Sequence, residues 1–220
     1  MENIAIFGAG TMAHTYIDII ESTKQYNIVG LFDDRYPELD CYYDWRVLGS
    51  SNDLKEKCEE FNIKKIVVCI GDNYVRSKVV EKIINEVPSI EFPSVIHKNA
   101  YVSPRANLGK GVIIRALTSI DAGVVLKDFT FVGGGSIIPH NSVLEEFSSV
   151  SAGVTVGGEF KLGKFSYVGI GAKVFHCITI GENTIVGAGS IVTKDIPSNC
   201  VAYGAPAKVI REHKLGEKYL

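Results

Sequence analysis

From residue 96 onward an aliphatic side chain recurs at every sixth position without an insertion. Ile96, Val102, Leu108, Ile114, Ile120 and Leu126 open the series, and Val132, Ile138, Leu144, Val150, Val156 and Leu162 continue it. Val168, Val174, Ile180, Val186 and Val192 bring it to seventeen. That period fits neither a helix of 3.6 residues per turn nor the two-residue alternation of a long strand. It calls for a unit of one short strand and one turn, with the aliphatic pointing inward. Small residues four places on, such as Ala106, Thr118, Ser136, Ser142, Ser148 and Ser166, pack the corners. Three units close a triangular coil of eighteen residues, and stacked coils bury a column that no single coil buries alone. Residues 95–201 are therefore expected to form a parallel β-solenoid of nearly six coils, and residues 202–220 a C-terminal tail closing it.

The preceding segment, 1–94, has a different rhythm. Ile4–Phe7, Ile28–Phe32 and Lys65–Ile70 read as buried strands. Thr11–Glu21, Asp53–Phe61 and Asn73–Glu86 have helical spacing, the last with Val75, Val79, Ile83 and Val87 on one face. Alternating strands and helices predict a small, Rossmann-like α/β domain with parallel strands. Its first strand runs into Gly8-Ala9-Gly10-Thr11-Met12-Ala13, a GxGxxA loop opening a helix. Glycine lets backbone approach a phosphate there, and the helix N-terminus supplies N–H groups. Asp33 and Asp34 end the second strand, where an acidic group can bond a ribose or a base edge. Arg76, near the carboxyl end of the third strand, suits an anionic ligand, while Gly71-Asp72-Asn73 makes a turn and N-cap.

The hexads, together with the tail Ala202-Tyr203-Gly204-Ala205-Pro206-Ala207-Lys208, resemble the hexapeptide-repeat acyltransferases. With a βαβ domain in front, the chain is similar to the sugar O- and N-acetyltransferases typified by bacillosamine and perosamine N-acetyltransferases and sialic acid O-acetyltransferases. The resemblance implies a left-handed parallel β-helix, a homotrimer, acetyl-CoA as co-substrate and a nucleotide-linked amino sugar as acceptor. It implies that Gly8, Gly10, Thr11, Asp33, Asp34, Gly71, Asn73 and Arg76 hold the nucleotide sugar. It also implies that Gly158, Ile170, Gly171, Ala188 and Lys208 line the path of the coenzyme. In this family the loop usually carries a histidine where Met12 stands.

His140 is the candidate base. It lies two residues after the inward Ile138, so it points out of the column, and Gly158 stands eighteen residues later, one coil above. A glycine over an imidazole leaves room for a thioester, with a backbone N–H at hand for the oxyanion. With a reference pKa of about 6.5, a neutral imidazole can take the proton of an attacking amine. The family's catalytic histidine falls in the matching stretch but is followed by a carboxylate; here Asn141 follows, able to orient the ring but not to stabilise imidazolium. Ser149 stands where a second histidine is common, and Glu145 and Glu146 are candidate substitutes for the carboxylate. His176, two coils above His140, is a surface candidate, and His14, His97 and His213 are read as structural.

Composition narrows the remaining classes. A formal charge of −2 gives no electrostatic reason for nucleic acid or an anionic membrane. No apolar run approaches the ~18 residues of a membrane span. Five scattered cysteines without a CxxC pair speak against disulfides or structural zinc. The expectation is a cytoplasmic enzyme without a metal. A carbonic-anhydrase-like metalloenzyme would need a histidine five residues after His140, where Glu145 stands. The leading expectation is acetyl transfer to a sugar amine. The alternatives are transfer to a sugar hydroxyl and a non-catalytic nucleotide-sugar-binding protein.

Overall fold

The computed structural model describes residues 1–219, in two compact units, the first Met1–Pro93 and the second from Ser94 onward. In the first unit β1 (Glu2–Phe7) is followed by α1 (Ala13–Thr23), β2 (Tyr26–Phe32), β3 (Cys41–Tyr42) and β4 (Trp45–Gly49). Then come α2 (Leu54–Glu60), β5 (Lys65–Val68) and α3 (Asn73–Glu86). The sheet order is β3-β4-β2-β1-β5, parallel throughout except for β3. Ile4, Ala5 and Ile6 are fully buried at its centre, which is why β1 is a continuous apolar run.

Two expectations need correction. The hairpin β3–β4 has no period-2 signal in Cys41-Tyr42-Tyr43-Asp44-Trp45 and was not foreseen. The buried face of α3 is Asn73, Arg76, Val80 and Ile83; of the expected Val75, Val79, Ile83 and Val87 only Ile83 lies on it, and Val75 is exposed. Asn73 and Arg76 turn inward to meet the preceding loop, and that rotates the helix relative to its apolar pattern.

In the second unit, seventeen two-residue strands run from Val95–Ile96 to Ile191–Val192. The first fourteen each pair in parallel with the strand eighteen residues on, as in Ser119↔Ile137, Ile137↔Thr155, Thr155↔Lys173 and Lys173↔Ile191, whereas Ile185–Val186 pairs with Val201–Ala202, sixteen on. From Ile114 to Val192 the sixth-position aliphatics form the buried column, and Ile96, Val102 and Leu108 pack partly buried at its start. The corner hydroxyls are buried yet satisfied. Thr118, Ser136 and Ser166 donate to the carbonyls of Gly133, Ser151 and Gly181, fifteen residues on. Ser142 and Ser148 donate to Pro139 and Glu145, three residues back. Burial without such partners would cost about 1–3 kcal/mol each. The chain then closes on a hairpin, Cys200–Gly204 with Ala207–Glu212. Among the described residues no helix is long and apolar enough to cross a membrane.

Candidate active site

In the first unit the glycine loop follows β1. Gly8 has φ +110°, and a Cβ there would lie 2.6 Å from the Cys69 carbonyl oxygen, so the position requires glycine. A Gly8→Ala variant is expected to lose about 2 kcal/mol of stability, read as a fall of several degrees in Tm. Gly10, by contrast, has open space where its Cβ would be, and Thr11 is exposed beside it.

The acidic residues after β2 are engaged within the chain. Asp33 accepts the Ala9 N–H at 2.8 Å and is gripped by Arg35 through Nε at 2.7 Å and Nη2 at 2.9 Å. Arg35 Nη2 also donates to the Ala9 carbonyl at 3.0 Å. Burial pushes the Asp33 carboxyl up, but the hydrogen bonds from Arg35 and Ala9 outweigh it and hold it below the ordinary range. The clamp on the loop is therefore complete above a pH of about 4 and is lost only as pH falls through the depressed value. Asp34 takes the Ser51 N–H at 2.8 Å and its hydroxyl. The sequence reading overlooked Arg35, which keeps 59% of its side chain exposed beside the loop.

Asp72 caps α3, accepting the Val75 N–H at 2.9 Å. Arg76 is only 4% exposed. Its guanidinium donates to Ile70 O at 2.9 Å, Gly71 O at 3.3 Å and Asn73 Oδ1 at 2.7 Å. It braces the Gly71–Asn73 loop through these bonds.

In the second unit the register brings His140 and Gly158 together. A Cβ built on Gly158 would stand 2.6 Å from both Cε1 and Nε2 of His140, so the imidazole lies directly against that glycine. The Gly158 carbonyl accepts Cys177 N–H at 2.9 Å. Its own N–H finds no acceptor among the described residues, as at the matching turn position of other coils. What distinguishes this coil is the imidazole beneath it. Nδ1 of His140 faces the side-chain amide nitrogen, Nδ2, of Asn141 at 3.4 Å. Asn141 has φ +57°, a left-handed turn conformation that asparagine tolerates. Glu145 and Glu146 are turned to Lys127, at 2.6 and 3.8 Å from its Nζ, and form no contact with His140. Ser149 is buried. His176 is exposed, with its backbone against Gly157.

A lane of turn glycines runs along the same unit: Gly135, Gly153, Gly171 and Gly189, all with φ between 67° and 70°. A Cβ at Gly135, Gly171 or Gly189 would meet nothing within 4 Å, so the backbone is open to a flat ligand. Ile170 is 60% exposed beside the lane, and Ala188 is exposed. Lys208 is exposed on the last strand, across from Tyr203.

The second unit thus presents a surface imidazole against a bare glycine, together with a lane of open backbone at its turns. Residues 3–83 match the PglD N-terminal domain. A histidine-to-asparagine mutant of perosamine N-acetyltransferase from Caulobacter crescentus, in complex with CoA and GDP-perosamine, superposes with a TM-score of 0.89 at 27% identity. That match covers 96% of this chain and 98% of the other. The acetyltransferase domain of PglB from Neisseria gonorrhoeae FA1090 gives 0.88 at 28% identity, covering 96% and 100%. Its complex with acetyl coenzyme A gives 0.86 at 27%, covering 95% and 99%. UDP-N-acetylbacillosamine N-acetyltransferase from Bacillus subtilis (strain 168) is 27% identical over 116 residues, 53% of this chain and 52% of that protein. Uncharacterized protein L142 of Acanthamoeba polyphaga mimivirus is 31% identical over 124 residues, 56% of this chain and 23% of that protein. The chain thus spans about half, and about a quarter, of these two curated relatives. Residues 3–83 thus form a PglD N-terminal domain, and the whole chain shares the fold of perosamine N-acetyltransferase and of the PglB acetyltransferase domain, to which it is similar.

Proposed function

We propose that the protein transfers acetyl from acetyl-CoA to the amine of a nucleotide-linked amino sugar. The observation that carries this reading is the stacking of His140 against Gly158. Nε2 of His140 takes the proton of the attacking amine, and the Gly158 N–H meets the oxyanion that develops on the thioester carbonyl. The role of Asn141 follows from the two faces of an amide. With its oxygen toward Nδ1, it accepts the Nδ1–H and leaves the Nε2 lone pair free; side-chain amides take either orientation.

The open glycine lane with Ile170, Gly171 and Ala188 suits a pantetheine arm bonded to backbone, and Lys208 suits a phosphate of the coenzyme. In the first unit, Gly8, Gly10 and Thr11 suit the phosphates of the nucleotide, with Asp33, Asp34, Gly71, Asn73 and Arg76 shaping and bracing the surrounding loops. Arg35 adds a cation there. A homotrimer is the assembly that goes with this reading. The support in relatives for acetyl transfer to a nucleotide sugar is the binding of CoA and GDP-perosamine by the Caulobacter crescentus enzyme and of acetyl coenzyme A by the Neisseria gonorrhoeae domain.

The test is product analysis. The protein is incubated with acetyl-CoA and a panel of UDP- and GDP-linked amino sugars, and the acetyl is located by mass spectrometry. An acetamido product is expected; an ester product, or no product across the panel, contradicts the reading. A carboxylate beside the base forms a stronger, charge-assisted hydrogen bond than an amide. Asn141→Asp is therefore expected to raise kcat by about threefold or more in the same assay.

A further inference from the structure

The connection after β2 brings an aromatic wall to the start of α1. His14, in the first turn of that helix, meets the Tyr42 ring at 4.9 Å and the Tyr43 ring at 4.1 Å between centroids. The two tyrosines meet at 5.1 Å, near-perpendicular at 76°. The contact between the His14 and Tyr42 rings ties the β3–β4 hairpin to the helix that the glycine loop opens. Yet Tyr43 itself remains 73% exposed, and its backbone sits at φ +51°. A tyrosine is uncommon in that conformation. Residues that follow the second strand of such a domain border the ribose and base of a nucleotide whose phosphates lie on the glycine loop.

We propose that Tyr43, steadied by His14 and Tyr42, is the platform on which the nucleobase of the bound nucleotide stacks. This rests on the reading of the first unit as a nucleotide-sugar site. Stacking is tolerant of base identity, since every base presents a π-face. The platform therefore adds affinity for nucleotides over bare phosphates without choosing strongly among bases. Near-perpendicular contacts with His14 and Tyr42, together with the 73% exposure, leave ring surface free for a base.

The test compares binding of UDP, GDP, CDP and dTDP, of inorganic pyrophosphate, and of UDP- and GDP-linked amino sugars by calorimetry. Tyr43→Ala is expected to weaken the preferred nucleoside diphosphate about tenfold and to leave pyrophosphate within about twofold. Tyr43→Phe, which keeps the ring, is expected to bind like the wild type. Unchanged nucleotide binding by Tyr43→Ala overturns the proposal. So does an equal loss for pyrophosphate, which marks a damaged loop, or a loss confined to sugar-bearing nucleotides, which places the sugar on the ring. If the wild-type protein binds none of the nucleotides, the nucleotide-sugar reading of the unit falls as well. That outcome is distinct from one in which nucleotides bind but ignore Tyr43.

Discussion

Gly158→Ala is expected to lower kcat/KM by about a hundredfold while leaving Tm nearly unchanged. The added Cβ would stand 2.6 Å from both Cε1 and Nε2 of His140, well inside contact distance, so the imidazole must swing away. A displacement of about 1 Å at a reacting group costs on the order of a hundredfold in rate. The fold has little stake in the site, because His140 is exposed and Gly158 lies in a turn outside the buried column. Steady-state kinetics alongside a thermal melt separates the two effects.

The period of six was legible because every unit repeats the same demand: one inward aliphatic, one small corner residue, one turn. With no insertion between Ile96 and Val192, counting eighteen residues from His140 to Gly158 is the same operation as climbing one coil. The corner hydroxyls were legible as small residues but not as hydrogen-bond donors. Whether Ser136 reaches fifteen residues forward or Ser142 three back depends on corner geometry that composition does not encode.

The first unit was less legible, and for a physical reason. Its loops are held by polar contacts across sequence, and such partners leave no periodic trace. The Asp33–Arg35 clamp on Ala9 is an example: the acid was visible at the end of β2, but its occupation by Arg35 was not. Arg76 was visible as a charge near the sheet end, whereas its inward turn onto the Ile70 and Gly71 carbonyls required the loop's conformation. That same turn upset the predicted face of α3.

His140→Ala is the second large effect. Loss of a general base costs about 10²–10⁴ in rate; a fall in kcat of about a thousandfold is expected, with residual turnover from the Gly158 N–H and from positioning. Stability is expected to hold, since the ring is exposed, set against Gly158 and 3.4 Å from the Asn141 amide nitrogen. The two substitutions must also be non-additive. If Gly158→Ala acts by displacing the imidazole, it has nothing left to displace once His140 is alanine. The double variant is therefore expected to match His140→Ala within about threefold, as for residues acting as one unit. Multiplied losses would mean that Gly158 acts independently of the histidine.

The central claim is that this imidazole and this glycine serve attack by a sugar amine on acetyl-CoA. The most direct measurement is the initial rate of thiol release from acetyl-CoA with a nucleotide-linked amino sugar. The comparison is the same nucleotide sugar bearing a hydroxyl in place of the amine, with His140→Ala run in parallel. The account predicts release that depends on the amine by at least about a hundredfold and collapses in the variant. Equal release with the hydroxyl sugar, none with any amino sugar, or full activity in His140→Ala would contradict it.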